Sequence, residues 1–242
     1  NLNRLRRVLR TYYSSFDSVF VLNSDHQKWM TGQQMGLNSD RVHLTSHWVN
    51  SHFRHKLSDR KNLFGFKSNE FVLLYSGRLS REKGIFELSS LYYSLVSEFP
   101  EVRLVIAGTG PDEEELKIRL PKATFLGWVN QEKLSWIYAS CDMLVLPSKF
   151  DTFNCAVLEA MTCGLPATAY NSKGPKDLIS DGENGFLVRT FEEMEEKLSK
   201  YISDPSVWKN FKVRCIEKAG NFNKEVILDK LLSDIGLGRN GE

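Results

Sequence analysis

The sequence contains no apolar run close to the roughly 20 residues that a membrane-spanning helix needs. It also shows no signal peptide, because no short apolar segment follows a basic N-terminus. The first residue is Asn rather than Met, as expected of a fragment, so the missing targeting signal carries little weight. Nothing in the hydropathy pattern therefore indicates an embedded membrane protein.

Cysteine is scarce, and the few cysteines form no CxxC pair. Three of them lie where a helix or a strand end would accept a small apolar side chain. This spacing argues against a disulfide framework and predicts reduced thiols in a cytoplasmic-type compartment. The four cysteines are Cys141, Cys155, Cys163 and Cys215.

Excess charge of either sign is also missing, because 32 basic residues face 30 acidic ones. With charge so nearly balanced, nothing in the composition demands a nucleic-acid partner, and we expect none. The His43 and His47 spacing would suit a metal ion on a helix, but VHLTSHWV alternates like a strand. We therefore expect no metal site and no cofactor.

From about residue 71 the chain alternates apolar strands with amphipathic helices. FVLLYSG (71–77), RLVIAG (103–108), ATFLG (123–127) and MLVLPS (143–148) are strand-like, and LPATAY and GFLV follow. Nearly continuous apolar strands separated by helices indicate βαβ units. We predict an α/β, Rossmann-like domain over residues 58–242, with a mostly parallel sheet of about six strands flanked by helices. The length of 242 residues allows one large domain or two small ones.

The first fifty-odd residues form a different unit, predicted as the end of another domain plus a linker, residues 1–57. The segment LNRLRRVLRTYY places Leu2, Leu5 and Leu9 on one helical face and arginines toward the other. A strand, a helix and a second strand follow. Two strands do not make a domain core, so this unit is predicted to be incomplete.

Residues 147–161, PSKFDTFNCAVLEAM, are the most informative part of the chain. A buried strand leads into a polar break that contains Asp151, and a helix follows that carries Glu159. Free N–H groups at a helix start attract phosphate. Two carboxylates flanking that start would contact hydroxyl groups of one ligand, which suggests a nucleotide-sugar.

This motif resembles the donor-binding motif of retaining group 1 nucleotide-sugar glycosyltransferases, which have the GT-B fold. Their pattern is an acid, seven residues and then Glu, in a frame like PS-x-x-E/D-x-F-G-x-x-x-L-E-A-M. Asp151 and Glu159 occupy the acid positions, and the Asp-Thr-Phe variant is similar to mannosyl- and sulfoquinovosyl-type transferases. Asn154 replaces the usual Gly, and we interpret it as a residue that tolerates a left-handed backbone.

The resemblance implies a role for each motif residue. Glu159 is expected to bind ribose hydroxyls and Asp151 the donor sugar. The alternatives are an ordinary surface acid at 159 and a helix N-cap at Asp151. The remaining motif residues expected to line the donor site are Thr152, Phe153, Asn154 and Cys155.

Arg78 and Lys83 lie in YSGRLSREKG, after the first strand of the sheet. Arg78 leaves the strand end and Lys83 precedes the next helix. The resemblance assigns both to the diphosphate of the donor, where positive charge stabilises the leaving group. The alternative is a pair of solvated loop cations.

Glycine-rich turns follow the other strands, and ligands bind at this edge of open α/β sheets. We expect Gly77 and Gly110 to let backbone approach the donor, and Val129 to offer backbone hydrogen bonds to the base. The segment 172–186, SKGPKDLISDGENGF, resembles another family motif and is interpreted as mostly structural.

The sequence therefore predicts the donor-binding half of a hexosyltransferase-type glycosyltransferase that uses a UDP- or GDP-sugar without a metal. The acceptor is expected to be a sugar, a glycan or a lipid-linked molecule, and the fragment alone is expected to be inactive. A nucleotide-sugar epimerase and a non-catalytic nucleotide-sugar-binding subunit remain as alternatives. The expected location is cytoplasmic, and the Arg-rich first helix is either solvated or in peripheral contact with anionic lipid.

Overall fold

The computed structural model describes residues 2–53, 65–204, 206 and 210–237. These residues form two compact units, one of residues 1–48 with 221–242 and one of residues 49–220.

A six-stranded sheet forms the centre of the larger unit, and all of its strand pairs are parallel. This confirms the predicted α/β sheet of about six strands. The strands are β3 (Phe71–Ser76), β4 (Val102–Ala107), β5 (Thr124–Gly127), β6 (Met143–Leu146), β7 (Ala167–Tyr170) and β8 (Gly185–Val188).

Helices flank this sheet, so its central strands are buried on both faces. Every residue of β3 and of β6 is buried, which explains why these strands are apolar without alternation. The helices are α3 (Ile85–Glu98), α4 (Glu113–Arg119), α5 (Gln131–Ser140), α6 (Cys155–Thr162), α7 (Pro175–Leu178), α8 (Phe191–Ser203) and α9 (Phe211–Ala219).

The strand order is β5-β4-β3-β6-β7-β8. The chain therefore runs outward in one direction from β3 to β5, and then returns to β6 beside β3 and runs outward in the other direction. In doubly wound sheets, ligands bind outside the carboxyl ends of the strands at the point where the order reverses. That point lies between β3 and β6. Arg78 lies in the loop that follows β3, and Asp151 lies in the loop that follows β6.

The smaller unit contains two parallel strands and three helices. A small core of Val21, Met30, Leu37 and Val42 packs against Tyr13 of the first helix, and His43 Nδ1 lies 3.8 Å from Asp234 Oδ1 in the last helix. The elements are α1 (Leu2–Ser14), β1 (Val19–Val21), α2 (Ser24–Thr31), β2 (Val42–Leu44) and α10 (Lys224–Asp234).

Helix α1 is amphipathic, as its sequence predicted, and none of its residues is buried. Its apolar residues Leu2, Leu5, Val8 and Tyr12 are each more than half exposed.

The predicted domain limits differ from these units at the C-terminus. The sequence placed residues 221–242 in the larger domain, whereas they cluster with residues 1–48, because α10 packs there and pairs with His43. The other predicted limit, between residues 57 and 58, lies outside the described residues.

Candidate functional site

The loops that follow β3 and β4 lie backbone against backbone. Beyond the strand ends, Leu79 N donates to Thr109 O at 3.0 Å. A Cβ atom on Gly108 would lie 1.9 Å from Gly77 O, and one on Gly110 would lie 2.2 Å from Leu79 O. Gly110 is therefore required by contact with the neighbouring loop. Its predicted contact with a donor stays a prediction.

A cavity of about 280 Å³ opens at the carboxyl ends of β3, β4 and β5. Three residues that the sequence singled out lie in its wall: Gly77, Arg78 and Val129. Ser76, Thr109, Trp128 and Leu134 also line it. The cavity thus lies at the edge of the sheet where the sequence predicted a ligand site. A ligand at this edge contacts several strand ends at once.

Arg78 brings a positive charge to this cavity. The residue is exposed, and its backbone is fixed because the hydroxyl of buried Tyr75 donates to Arg78 O at 2.8 Å. No described residue forms an ion pair with the Arg78 guanidinium. The guanidinium is therefore available to an anion in the cavity.

Lys83 also follows β3, but it does not line the cavity. Its ammonium contacts an acid in the loop after β6. Its Nζ atom lies 2.6 Å from Asp151 Oδ1. The Asp151 side chain is only 7% exposed and that of Lys83 is 35% exposed. The pair joins the loop after β3 to the loop after β6, so two of the predicted residues meet across the switch point.

Asn154, and not Asp151, caps helix α6. Asn154 Oδ1 accepts a hydrogen bond from Val157 N at 3.3 Å, and Asn154 Nδ2 donates to Asp151 Oδ2 at 3.1 Å. Asn154 does not use the left-handed backbone that asparagine tolerates, because its φ is −111°. The N-cap alternative for Asp151 is wrong, and its carboxylate is held from both sides by Lys83 and Asn154.

We expect Asn154→Gly, which restores the residue usual in the family motif, to lower the stability of the protein. The glycine would remove both the cap and the hydrogen bond to Asp151, without relieving any backbone strain. Asn154→Ala should cost about 1–2 kcal/mol in the free energy of unfolding, measured by urea denaturation. Asn130→Ala is the matched control, since Asn130 caps α5 in the same way through Lys133 N. If Asn154→Gly were more stable than the parent, the cap would not explain this residue.

The other motif residues directly follow Asp151 in the loop between β6 and α6 and at the start of α6. Gly174 N donates to Asp151 O at 3.0 Å, and a Cβ atom on Gly174 would lie 2.9 Å from Phe153 Cα. The segment around Gly174 thus supports the motif loop. Thr152 and Cys155 are exposed at this loop, while Phe153 is half-buried. Their predicted contacts with a donor stay predictions.

Glu159 is a half-buried acid whose partners lie on two other elements. Tyr138 Oη lies 3.0 Å from Glu159 Oε2 and 3.1 Å from Ser76 Oγ. Burial raises the pKa of Glu159 to about 7, although the hydrogen bond from Tyr138 acts to lower it. Glu159 is therefore not an ordinary surface acid, and it titrates near neutral pH.

Two of these neighbours were missed in the sequence. Ser76 directly precedes the predicted Gly77, so its place at the strand end was a usable signal. Tyr138 gave no signal, because a tyrosine in QEKLSWIYASC fits a half-buried helix face without any special role.

The described part of the chain contains no cluster of three or more His, Cys, Asp or Glu side chains able to hold a metal ion. Within that part, every helix is too short or too polar to cross a membrane.

The sequence profile of the family "Glycosyl transferases group 1" matches residues 58–222. This span contains the cavity, both predicted cations and both acids. The chain belongs to the group 1 glycosyl transferases. The family resemblance stated from the motif is thereby confirmed.

Curated relatives in this family carry transferase names. A GDP-mannose-dependent alpha-mannosyltransferase of Corynebacterium glutamicum is 37% identical over 137 residues, which cover 56% of this chain and 32% of the relative. The alpha-galactosylglucosyldiacylglycerol synthase of Streptococcus pneumoniae is 24% identical over 94% of this chain and 62% of the relative. The chain thus spans only part of the curated relatives that it matches.

Solved structures of GT-B glycosyltransferases share this fold. Anabaena Alr3699/HepE in complex with UDP-glucose superposes with a TM-score of 0.80 at 22% identity, over 97% of this chain and 68% of that one. Sucrose-phosphate synthase from Thermosynechococcus elongatus has a TM-score of 0.81 at 21% identity, over 96% of this chain and 61% of that one. At this identity the match shows the fold alone.

Proposed function

We propose that this chain binds the nucleotide-sugar donor, a UDP- or GDP-sugar, of a glycosyltransferase that retains the anomeric configuration. One observation carries the proposal: the exposed cation Arg78 lines a cavity at the carboxyl ends of β3, β4 and β5, while the loop and helix after β6, the strand beside β3, carry the buried Asp151 and the half-buried Glu159. Cations suit a diphosphate, and carboxylates suit the hydroxyls of ribose and sugar.

The diphosphate is proposed to lie between Arg78 and Lys83. The guanidinium offers a planar set of donors to phosphate oxygens, and the ammonium offers a compact charge. Because the diphosphate leaves with more negative charge than it has in the bound donor, both cations stabilise the transition state. They do so from the protein side, so the proposed transfer is metal-independent.

Lys83 must change partners in this proposal. In the structure its ammonium is bonded to Asp151 at 2.6 Å. When the diphosphate attracts Lys83, Asp151 loses one donor and its Oδ1 becomes free to accept a hydrogen bond from the donor sugar. Asn154 still holds Oδ2, so the carboxylate keeps its orientation while it exchanges a lysine for a hydroxyl.

The transfer step is proposed to need no protein nucleophile. The acceptor hydroxyl attacks the anomeric carbon from the face that the diphosphate leaves, so the carbon–oxygen bond to the diphosphate breaks as the bond to the acceptor forms. A proton passes from the acceptor hydroxyl to the departing diphosphate. This chain supplies the donor site, and the acceptor site is proposed to lie in the part of the relatives that this chain does not span.

The names of the relatives support this proposal. One matched relative is named as GDP-mannose-dependent, another as a synthase of a glycosylated diacylglycerol, and Alr3699/HepE was solved with UDP-glucose. We propose a sugar, a glycan or a lipid-linked molecule as the acceptor and a cytoplasmic location. Peripheral membrane contact through the arginine-rich α1 is a further part of the proposal.

Calorimetric titration tests the proposed donor class. UDP, GDP and ADP, each with and without a linked hexose, are titrated into the chain at the same ionic strength. We expect UDP or GDP to bind, with the corresponding nucleoside monophosphate at least about tenfold weaker because it lacks the second phosphate. Failure of every nucleoside diphosphate and nucleotide-sugar to bind would refute the proposed function.

The two acids are expected to act on different parts of the donor. Glu159→Gln should weaken free UDP or GDP and the nucleotide-sugar alike, by about 1–2 kcal/mol, because it loses charged hydrogen bonds to ribose. Asp151→Asn should leave the free nucleoside diphosphate within about twofold and weaken only the nucleotide-sugar. An equal loss of free nucleotide in both variants would mean that Asp151 holds the loop and not the sugar.

A further inference from the structure

Tyr138 connects the cavity to Glu159 from the interior of the protein. The residue lies on α5 and is completely buried. Its hydroxyl contacts Ser76 Oγ on β3 at 3.1 Å and Glu159 Oε2 on α6 at 3.0 Å. Ser76 lies in the cavity wall. One buried hydroxyl therefore bridges the strand end that forms the cavity and the helix that carries the acid.

The direction of these hydrogen bonds follows from the chemistry of the three groups. A tyrosine hydroxyl has one proton, and an ionised carboxylate only accepts. The Tyr138 proton is therefore donated to Glu159 Oε2, and the Ser76 hydroxyl donates to Tyr138 Oη. Burial and the charge of Glu159 raise the pKa of Tyr138 well above its usual value, so Tyr138 keeps the proton that it donates.

No described residue donates a hydrogen bond to the second oxygen of Glu159, Oε1. Because Tyr138 occupies Oε2, the carboxylate cannot turn freely, and it presents Oε1 in a fixed direction. A pre-oriented acceptor loses less entropy when a ligand hydroxyl binds.

We propose that Tyr138 is a positioning residue for donor binding, which favours the ionised form of Glu159 and fixes Oε2 so that Oε1 accepts hydroxyls of the nucleotide ribose. This inference rests on the proposed function, since it needs a nucleotide in the cavity. It assigns a role to a residue that does not itself touch the ligand.

Electrostatics agree with this geometry. Among the described residues, the titratable groups that interact with Glu159 are the Tyr138 hydroxyl from α5 and the Cys155 thiol from its own helix, whose pKa is raised by burial and then by Glu159. Neither group is a cation. The hydrogen bond from Tyr138 is thus what opposes the effect of burial, which brings the pKa of Glu159 to about 7. Without that bond the pKa of Glu159 should rise further.

The test compares Tyr138→Phe with the parent chain over pH 6 to 9, with UDP and GDP as the probes. If the pKa of Glu159 rises by about one unit, affinity should fall about tenfold at pH 6 and by less than about twofold at pH 9. The nucleotide's own phosphate also titrates near pH 6, but it affects both proteins equally and cancels in the ratio of affinities. The carboxyl ¹³C shift of Glu159, followed without ligand, should report the higher pKa directly.

Tyr92→Phe is the matched control, because Tyr92 is also a buried helical tyrosine and lies on α3, away from Glu159. It should leave the pH profile unchanged. A ratio of affinities that is the same at pH 6 and pH 9, or an unshifted ¹³C titration in Tyr138→Phe, would overturn the inference and leave the proposed function standing. If the parent binds no nucleotide at all, both fail together.

Discussion

Arg78→Ala and Lys83→Ala are each expected to weaken binding of UDP or GDP by about 1.5–3 kcal/mol, the range for hydrogen bonds to charged groups. Arg78 lines the cavity and has no ion-pair partner among the described residues. Lys83 lies across the switch point, where a diphosphate would compete with Asp151 for its ammonium. Calorimetric titration measures both losses, and both should shrink as salt concentration rises.

The two variants should differ in stability although they resemble each other in binding. Arg78→Ala removes an exposed side chain and should change the free energy of unfolding by less than about 0.5 kcal/mol. Lys83→Ala leaves the carboxylate of Asp151, a side chain only 7% exposed, without its cation. A buried charge that loses its partner is destabilising, so Lys83→Ala should unfold at a lower urea concentration.

Lys83→Ala combined with Asp151→Asn separates the two effects. The double variant has no unpaired buried charge, so it should recover most of the stability lost in Lys83→Ala, while its nucleotide affinity stays low. Lys122→Ala, at an exposed loop lysine, is the control for removing one positive charge from the surface. If both Arg78→Ala and Lys83→Ala bind UDP and GDP like the parent, neither cation contacts the diphosphate.

The sheet of this protein was predictable because its strands are encoded locally. A strand such as Phe71–Ser76 is apolar at nearly every position, as required when both faces are covered. The turns after the strands are rich in glycine, so the edge that carries the cavity could be located as well. Local patterns of this kind need no knowledge of distant residues.

What the sequence could not show are the contacts between residues far apart in the chain. Lys83 and Asp151 are 68 positions apart and Tyr138 and Ser76 are 62 apart, yet each pair is hydrogen-bonded. Such pairs follow from the order of the strands, which places β6 beside β3. The sequence predicted Lys83 for the diphosphate, but it gave no sign that Lys83 pairs with Asp151.

The role of Asn154 could not be predicted for a related reason. Replacing a family glycine with asparagine suggests a left-handed backbone, since both residues tolerate one. At this position the asparagine is extended, and its side chain caps α6 and binds Asp151. A side chain can thus take the place of glycine by adding hydrogen bonds, and the identity of the residue alone does not distinguish the two cases.

Gly84→Ala is expected to destabilise the larger unit by about 2–5 kcal/mol. Gly84 begins α3 at a φ of +72°, a left-handed conformation that costs an alanine about 1–2 kcal/mol. In addition, a Cβ atom there would lie 2.1 Å from Pro147 O, a backbone atom at the end of β6 that cannot rotate away. Relief requires the start of α3 to move from β6, and overpacking of this kind typically costs a further 1–3 kcal/mol or so.

Gly182→Ala is the matched control for this prediction. Gly182 has nearly the same φ, +76°, but an added Cβ would meet nothing within 4 Å. Its substitution should therefore cost only the backbone term, about 1 kcal/mol, and the difference between the two variants in urea denaturation isolates the contact with Pro147. The contact between Gly84 and Pro147 also sets the position of Lys83, which directly precedes Gly84 and must reach Asp151. Gly84→Ala should for that reason weaken UDP or GDP binding even at temperatures where the chain remains folded, whereas Gly182→Ala should not. Equal losses of stability in the two variants would show that α3 and β6 are not in tight contact at the switch point, and would remove the geometric basis for pairing Lys83 with Asp151.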